Sequence, residues 1–275
     1  MPARLATALR VVIGLVGVFN LYVAFAFYVQ LRWVNDFWPW STGYDGMSPM
    51  SFYFISSIAA AIGAPLLWIA ATGSLRASAA GAVNLTIAFG GIGVYMLSGA
   101  ADASANPRLM PAAMLMLFFA LANLAVVMLV CRMPVASQQV LPRLVRWSFA
   151  TFALTLLIVG IALIRVVPAI LPWDITPEGS ITYGWIFLGA ATYFAYGVAR
   201  PRWGNAIGPL LGFLAYDLIL IVPFVQHFST VQPHLRNSLI IYTTAVAYSG
   251  LLAIYFLFFH TETRLFRSMA VGIGR

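Results

Sequence analysis

The sequence predicts an all-α protein: a polytopic transmembrane helix bundle with about eight spans in two parallel four-helix halves. Hydrophobic residues make up 62% of the 275 residues and charged residues only 8%, whereas about a quarter of a typical soluble domain is charged. The mean hydropathy of +0.93 agrees with a membrane protein. The apolar residues are also gathered into runs of spanning length, and one loop motif occurs twice.

Eight apolar runs are long enough to cross a bilayer, because about 20 residues of helix span its hydrocarbon core. They cover residues 11–31, 51–73, 82–100, 111–131, 147–170, 180–199, 205–226 and 238–260. The third and sixth runs are the weakest, since they lie near the lower length limit. The loops between the runs are short, so no separate soluble domain is predicted.

The first run has a second interpretation as a cleaved signal peptide. A basic start, an apolar stretch and the small residues of Ala24-Phe25-Ala26 fit that pattern. Against it, the apolar stretch continues through "FYVQL" and becomes long enough to span. A spanning helix is therefore favoured, and cleavage of residues 1–26 stays open.

The arginines predict the orientation of the bundle. All fifteen basic residues are Arg, and they lie almost entirely between the apolar runs. One side carries Arg4, Arg10, Arg76, Arg132, Arg143, Arg146, Arg200, Arg202, Arg264, Arg267 and Arg275; the other carries Arg32, Arg108, Arg165 and Arg236. Because positive loops stay in the cytoplasm, both termini are predicted to be cytoplasmic. The same scattered placement disfavours nucleic-acid binding despite the net charge of +8.

A repeated loop motif predicts the two halves. "FWPWSTGYDGMSPMSFYF" follows the first run and "ILPWDITPEGSITYGWIF" follows the fifth, each with Pro-Trp and then Ser-Pro or Thr-Pro before an apolar helix. An even number of spans per half makes the repeat parallel. The predicted organisation is a first half over 1–135, a cytoplasmic linker over 136–146 and a second half over 147–275 with a short tail.

Both copies of the motif carry residues that could bind a ligand on the outer face. These candidates are Trp38, Trp40, Asp45, Trp173, Asp174 and Glu178. Aromatic faces beside carboxylates suit an organic cation, and carboxylates alone suit a divalent metal. The structural alternative is favoured, because Trp is common at the headgroup level and Ser or Thr before Pro begins helices.

Asp217 is the most unusual residue of the predicted spans, since "FLAYDLILIVP" places it about 18 Å deep in the membrane. A charged Asp there costs about 2.5–3.5 kcal/mol on insertion scales and is a functional-site hypothesis by default. Its own helix face is apolar, so partners must come from other helices. Asn20, Asn123 and Tyr248 with Ser249 lie at comparable depth and could form a polar layer with it. A structural role, proton or cation coupling, and ligand binding or catalysis all stay open.

Three classes of function remain for such a chain. The first is a non-enzymatic binding, assembly or accessory module, with a possible protein partner or homo-oligomer in the lipid bilayer. The small-residue run "SSIAAAIGA" and the ridge of Gly204, Gly208 and Gly212 favour it, because such residues allow close helix packing. The second is a small-solute or proton-coupled transporter that uses Asp217. The third is an enzyme acting on a lipid-linked substrate at the outer face.

The sequence identifies no catalytic motif and no cofactor. It lacks a P-loop, a G-x-S-x-G elbow and an H-E-x-x-H pair. Its single cysteine, Cys131, and its three histidines have no metal-ligand spacing, so a metal site is not predicted. The module is therefore ranked first, slightly ahead of the transporter, and the enzyme third.

Overall fold

The computed structural model of the chain describes residues 3–37, 48–101, 106–135 and 137–265. Over these ranges the fold is helical, with eight long α-helices and no strand beyond one isolated bridge. The long helices are α1 (Ala3–Tyr28), α2 (Pro49–Thr72), α3 (Ser78–Ala100), α4 (Leu109–Val130), α5 (Arg143–Ile164), α6 (Pro177–Ala199), α7 (Trp203–His227) and α8 (Arg236–Ile254). The predicted all-α class is confirmed.

Seven of these helices are long and apolar enough to span a membrane, which makes the chain an integral membrane protein. The eighth, α6, is 23 residues long but is not among the seven. Its glycine, threonine and tyrosine residues lower its hydropathy, whereas the third and sixth runs are predicted to be weak for their length; the third, in α3, is among the seven. The count of eight spans therefore stays a prediction.

The starts of α2 and α6 follow from the repeated motif. Ser48 accepts a hydrogen bond from the backbone N–H of Met50, and Thr176 accepts one from that of Gly179. In both helices the next residue is a proline at the first helical position, where its missing N–H is not needed. The predicted helix-starting role of Ser-Pro and Thr-Pro is thus present in the structure.

The end of α5 differs from the prediction. The apolar run continues to residue 170, but the helix ends at Ile164. Val166 takes a left-handed φ of 54°, and Val167 N–H donates to the Ala162 carbonyl. This pattern is a Schellman cap, which usually has glycine at the left-handed position. An apolar run does not reveal it, because hydropathy carries no signal for the left-handed turn.

The helices pack in two rows of four. One row has the order α4, α3, α6 and α5, and the other has the order α1, α2, α7 and α8. Small residues let neighbours approach closely within the rows. A side chain on Gly63 would meet the Gly17 carbonyl of α1 at 3.0 Å, and one on Gly160 would meet the Gly184 carbonyl of α6 at the same distance. Neighbouring helices within each row are therefore closely packed, and larger side chains occupy the space between the two rows.

The segment before α5 is fixed to the α6–α7 loop. Leu141 N–H donates to the Pro201 carbonyl and Trp203 N–H donates to the Gln139 carbonyl, at 3.0 and 2.8 Å. A side chain on Gly204 would meet Val135 at 2.8 Å, so this member of the glycine ridge faces the segment. The predicted linker thus packs against the start of α7. The proposed domain boundaries at 135/136 and 146/147 stay predictions.

Candidate functional site

A cavity of about 230 Å³ lies between the two rows of helices. Its walls come from α3, α5 and α6 of one row and from α2, α7 and α8 of the other. Most of the lining is aliphatic or aromatic. The polar side chains of the lining are Asn84, Tyr193, Tyr216, Asp217, Tyr242 and Ser249. The carboxyl that the sequence singled out therefore faces a space large enough for a small molecule.

Asp217 lies near the middle of α7, with only 5% of its surface exposed. The Ser249 hydroxyl of α8 donates to its Oδ2 at 2.8 Å. Its Oδ1 is buried and has no hydrogen-bond partner among the described residues. A buried polar oxygen without a partner costs about 1–3 kcal/mol, and more if charged. One side of the carboxyl is thus held in place while the other side is free to bind.

A glycine on α8 makes room for this carboxyl. A side chain added at Gly250 would meet Asp217 Oδ2 at 3.3 Å and its Cβ at 3.4 Å. The residue before it, Ser249, has its hydroxyl oxygen 2.9 and 3.1 Å from the carbonyls of Ala245 and Val246 in its own helix, and these compete with Asp217 for its one proton. The shortest of the three contacts, at 2.8 Å, is the one to Asp217 Oδ2.

Two tyrosines lie beside the carboxyl. The hydroxyls of Tyr216 on α7 and Tyr242 on α8 hydrogen-bond to each other. Both side chains line the cavity together with Asp217. Because a phenolic oxygen can both donate and accept, each hydroxyl of the pair keeps capacity for a further hydrogen bond.

Aromatic rings line the cavity on both sides of Asp217. Toward the Arg-rich side lies the Phe213 cluster, in which Phe213 contacts Phe149, Phe152 and Phe194 at centroid distances of 4.6–6.3 Å. Toward the opposite side lies the Phe54 cluster, in which Phe54 contacts Trp173, Tyr183, Phe187 and Tyr216 at 4.8–6.3 Å. Six of these rings reach the cavity: Phe54, Phe152, Phe187, Phe194, Phe213 and Tyr216.

The loop between α5 and α6 closes the bundle at the end opposite the Arg-rich side. Trp173 is 3% exposed and its Nε1 donates to the Ser51 hydroxyl of α2 at 2.9 Å. His227 Nε2 and the Pro172 carbonyl are 2.9 Å apart, and Ser238 donates to the Ala169 carbonyl. These bonds attach the loop to α2, α7 and α8 beside the Phe54 cluster.

The other outer-loop candidates have different positions. Asp174 is exposed and accepts a hydrogen bond from Gln232 Nε2 at 2.8 Å. Glu178 is half-buried in the first turn of α6, where a carboxylate is favoured by the helix dipole. Trp38, Trp40 and Asp45 lie outside the described residues.

Of the polar layer predicted around Asp217, Ser249 makes the direct contact. Asn20 Nδ2 donates to the Val16 carbonyl, and Asn123 Nδ2 donates to the Phe119 carbonyl, each within its own helix. Tyr248 is 44% exposed, and its hydroxyl lies 2.6 Å from the Ser148 hydroxyl of α5. These three residues therefore bond elsewhere, and Tyr248 joins α5 to α8 at the edge of the bundle.

Sequence reasoning missed the polar residues that other helices bring to Asp217. Tyr216 directly precedes Asp217, and this Tyr-Asp pair was a signal in the sequence that a second polar side chain lies near the carboxyl. Tyr242 lies seven residues before Ser249, which puts both on one face of α8. Asn84 and Tyr193 gave no comparable signal, because their relation to Asp217 depends on how α3 and α6 pack.

Comparison with known protein families, with curated proteins and with solved structures found no match for this chain. Among the described residues, no group of three or more His, Cys, Asp or Glu side chains could hold a metal ion. The arrangement of the cavity is therefore the observation from which a function can be argued.

Proposed function

We propose that this protein is a non-enzymatic membrane binding module, and that its ligand occupies the cavity between the two helix rows. The observation that carries the proposal is the Oδ1 atom of Asp217, which is buried at the cavity without a partner among the described residues. In the proposal the chain crosses the lipid bilayer eight times, with both termini in the cytoplasm.

A purely structural role accounts less well for this carboxyl. A polar residue that only aligns helices gains most when all its hydrogen-bonding atoms have partners, since a half-satisfied network is worse than an apolar core. Ser249 satisfies one oxygen of Asp217. The second oxygen has no partner among the described residues, and Asp217 lines the cavity, which favours an exchangeable partner.

The helix packing supports two parallel halves. The pairs α1–α2 and α5–α6 pack closely, as do α3–α4 and α7–α8. Between the halves, α2 packs on α7 and α3 packs on α6. Exchanging the first four helices for the last four leaves this set of pairs unchanged, as a twofold relation along the membrane normal requires. In the proposal the ligand cavity lies close to that axis.

Native mass spectrometry of the protein, extracted gently from its own membranes, tests the binding function. The wild type is expected to carry a stoichiometric small-molecule mass that is not a bulk lipid. Ala190→Phe should abolish that mass, because Ala190 lines the cavity and the added ring would fill part of it. Ala122→Phe is the matched control, since Ala122 lies on the exposed surface of α4 and the same ring would enter lipid.

Two results would overturn this proposal. One is a wild-type chain without a small-molecule mass but with a stoichiometric protein partner, which would make the chain an accessory subunit. The other is a ligand mass that both Ala190→Phe and Ala122→Phe retain, since that ligand would lie outside the cavity. A homo-oligomer with one ligand per chain agrees with the proposal.

A transporter is the second candidate, and the position of the cavity favours it. The cavity lies between the rows, and two of the helices that line it, α2 and α7, contain internal prolines. Pro65 of α2 lies 3.9 Å from the positions that side chains on Gly208 and Gly212 would take, and Pro209 of α7 lines the cavity. Proline removes a backbone hydrogen bond and permits bending. Uptake of the co-purified ligand into proteoliposomes would distinguish transport from binding alone.

The enzyme stays the third candidate. It requires Asp45, Asp174 and Glu178 to act together at the outer face. Asp174 is bonded to Gln232, and Glu178 begins α6. If Asp174→Ala abolished a measured turnover while leaving assembly intact, the enzyme would replace the binding module as the leading function.

A further inference from the structure

We propose that the ligand of the cavity is a small organic ammonium ion, whose nitrogen contacts Asp217 and whose apolar part lies against the aromatic walls. This inference rests on the proposed function, because it requires the cavity to be a binding site. It adds the charge, the size class and the apolar character of the ligand.

The charge of the ligand follows from the lining. Asp217 is the one charged side chain among the described residues that line the cavity. A buried carboxylate needs an opposite charge or a proton, because an isolated ion is very costly to hold in an apolar medium. The free Oδ1 is available to a cationic nitrogen, either through a hydrogen bond from an N–H group or through charge attraction to a quaternary nitrogen, while Ser249 is bonded to Oδ2. An anionic ligand would instead be repelled by the same carboxyl.

The aromatic rings of the lining also suit a cation. A cation is attracted to the face of an aromatic ring within about 6 Å of its centroid. Phe213, one helical turn before Asp217, stacks with Phe194 at 4.6 Å and packs on Phe152 at 4.7 Å. All three rings line the cavity. A carboxylate beside several ring faces is suited to an ammonium group that carries apolar substituents.

An inorganic cation fits the same site poorly. Calcium takes six to eight oxygen ligands and magnesium six, usually with more than one carboxylate. The cavity offers one carboxyl, one serine hydroxyl already bonded to it, the side-chain amide of Asn84, and tyrosine hydroxyls of which two bond to each other. The larger part of the lining is hydrocarbon, which does not replace the hydration shell of a metal ion.

The volume limits the size of the ligand. A cavity of about 150 Å³ accommodates benzene, whereas sites for drug-sized ligands are about 300–1,000 Å³. The value here is about 230 Å³. It corresponds to one ring, or a branched chain of similar size, with a short ammonium-bearing arm.

Calorimetry with purified protein in nanodiscs tests this ligand class. The probes are 2-phenylethylammonium, phenyltrimethylammonium and the neutral 2-phenylethanol, which have similar size and differ in charge. The wild type is expected to bind both cations at least tenfold more tightly than the alcohol. Asp217→Asn should weaken cation binding at least tenfold and change alcohol binding by less than threefold. Glu262→Gln is the control, since Glu262 is an exposed carboxylate beyond the end of α8 and does not line the cavity.

A second variant keeps the test decisive if Asp217→Asn does not fold. Phe152 is a half-buried lining residue of α5, so Phe152→Leu keeps an apolar side chain and removes one ring face. It is expected to weaken phenyltrimethylammonium binding about threefold to tenfold, with alcohol binding unchanged.

The outcomes separate this inference from the proposed function. Alcohol binding equal to cation binding, with both lost in Ala190→Phe, would overturn the ammonium inference and leave the binding site in place. Cation binding that persists in Ala190→Phe would overturn the inference by placing the probe elsewhere. A co-purified ligand that is neutral, such as a quinone or a lipid, and survives Asp217→Asn would overturn it as well.

Discussion

Two helix crossings of this protein have the same close backbone packing but different side chains beside it. Where α2 crosses α7, a side chain on Gly212 would meet the Ala61 carbonyl at 3.3 Å; where α3 crosses α6, one on Gly189 would meet the Asn84 carbonyl at 2.6 Å. Ala61 and Gly189 are 128 residues apart in the chain, and so are Asn84 and Gly212. The two crossings therefore use corresponding positions, with one glycine in each.

The residues that follow the crossings differ. Five residues after Gly212 stands Asp217, and five residues after Asn84 stands Phe89. Both side chains line the cavity. The packing frame is thus alike in the two crossings, whereas the carboxyl is present in one alone. Small residues at the crossing are needed for the fold, and Asp217 is an addition that the frame itself does not require.

The largest expected effect separates the two crossing glycines. Gly189→Ala should destabilise the protein by about 3 kcal/mol, since its Cβ would lie 2.4 Å from Asn84 Oδ1 and 2.6 Å from the Asn84 backbone. Gly212→Ala should cost less, about 1 kcal/mol, because its nearest contact is 3.3 Å away and needs only a small shift of the Ala61 carbonyl. Unfolding in detergent measures both. Equal losses in the two variants would contradict the difference in spacing.

The next effect concerns the hydrogen bond that holds Asp217. Ser249→Ala removes the donor to Oδ2 and should cost about 1–2 kcal/mol, because the buried carboxyl then has no side-chain partner among the described residues. The matched variant Ser148→Ala breaks a bond to the exposed Tyr248 and should cost about 0.6 kcal/mol. A larger loss in Ser148→Ala would place the main polar link between α5 and α8 instead.

The smallest effect compares the first helices of the two halves. Both end in a Schellman cap with a non-glycine residue at positive φ, namely Gln30 at 53° in α1 and Val166 at 54° in α5. The left-handed conformation costs about 1–2 kcal/mol for residues with a Cβ. Val166→Gly should stabilise the protein by about 1 kcal/mol, since Val166 is 42% exposed and loses little packing. Gln30→Gly should stabilise it less, because glutamine is not β-branched. A loss of stability in Val166→Gly would show that its side chain contributes packing.

The sequence was sufficient to predict where the helices lie and insufficient to predict which helices pack against each other. Hydropathy located all eight helices to within a few residues at most ends, because a run of apolar side chains is a local property. It missed the start of α1 at Ala3, because the first turns of that helix carry arginines and are not apolar. It also missed the end of α5 at Ile164, because the left-handed cap that ends the helix leaves no mark in the hydropathy. The predicted close packing of Gly208 and Gly212 agrees with their contacts to Tyr193, Pro65 and Ala61.

The candidate site was predictable only in part. Asp217 was identifiable from its position in an apolar helix, and Ser249 from its depth in the membrane. Tyr193 and Asn84 come to the cavity through the packing of α3 on α6, and neither hydropathy nor spacing encodes which helices meet. Trp173 was assigned to the outer face by its position in a loop. Its burial depends on Ser51 and Phe54, which belong to a distant part of the chain.

The central claim is that Asp217 makes this cavity a ligand site. Native mass spectrometry of wild type and Asp217→Asn, extracted side by side from the membranes in which they are made, tests it most directly. The account predicts one small-molecule mass per wild-type chain and its loss from a folded Asp217→Asn protein. The same mass in both proteins, or none in the wild type, would contradict it and would leave Asp217 as a residue that aligns α7 with α8.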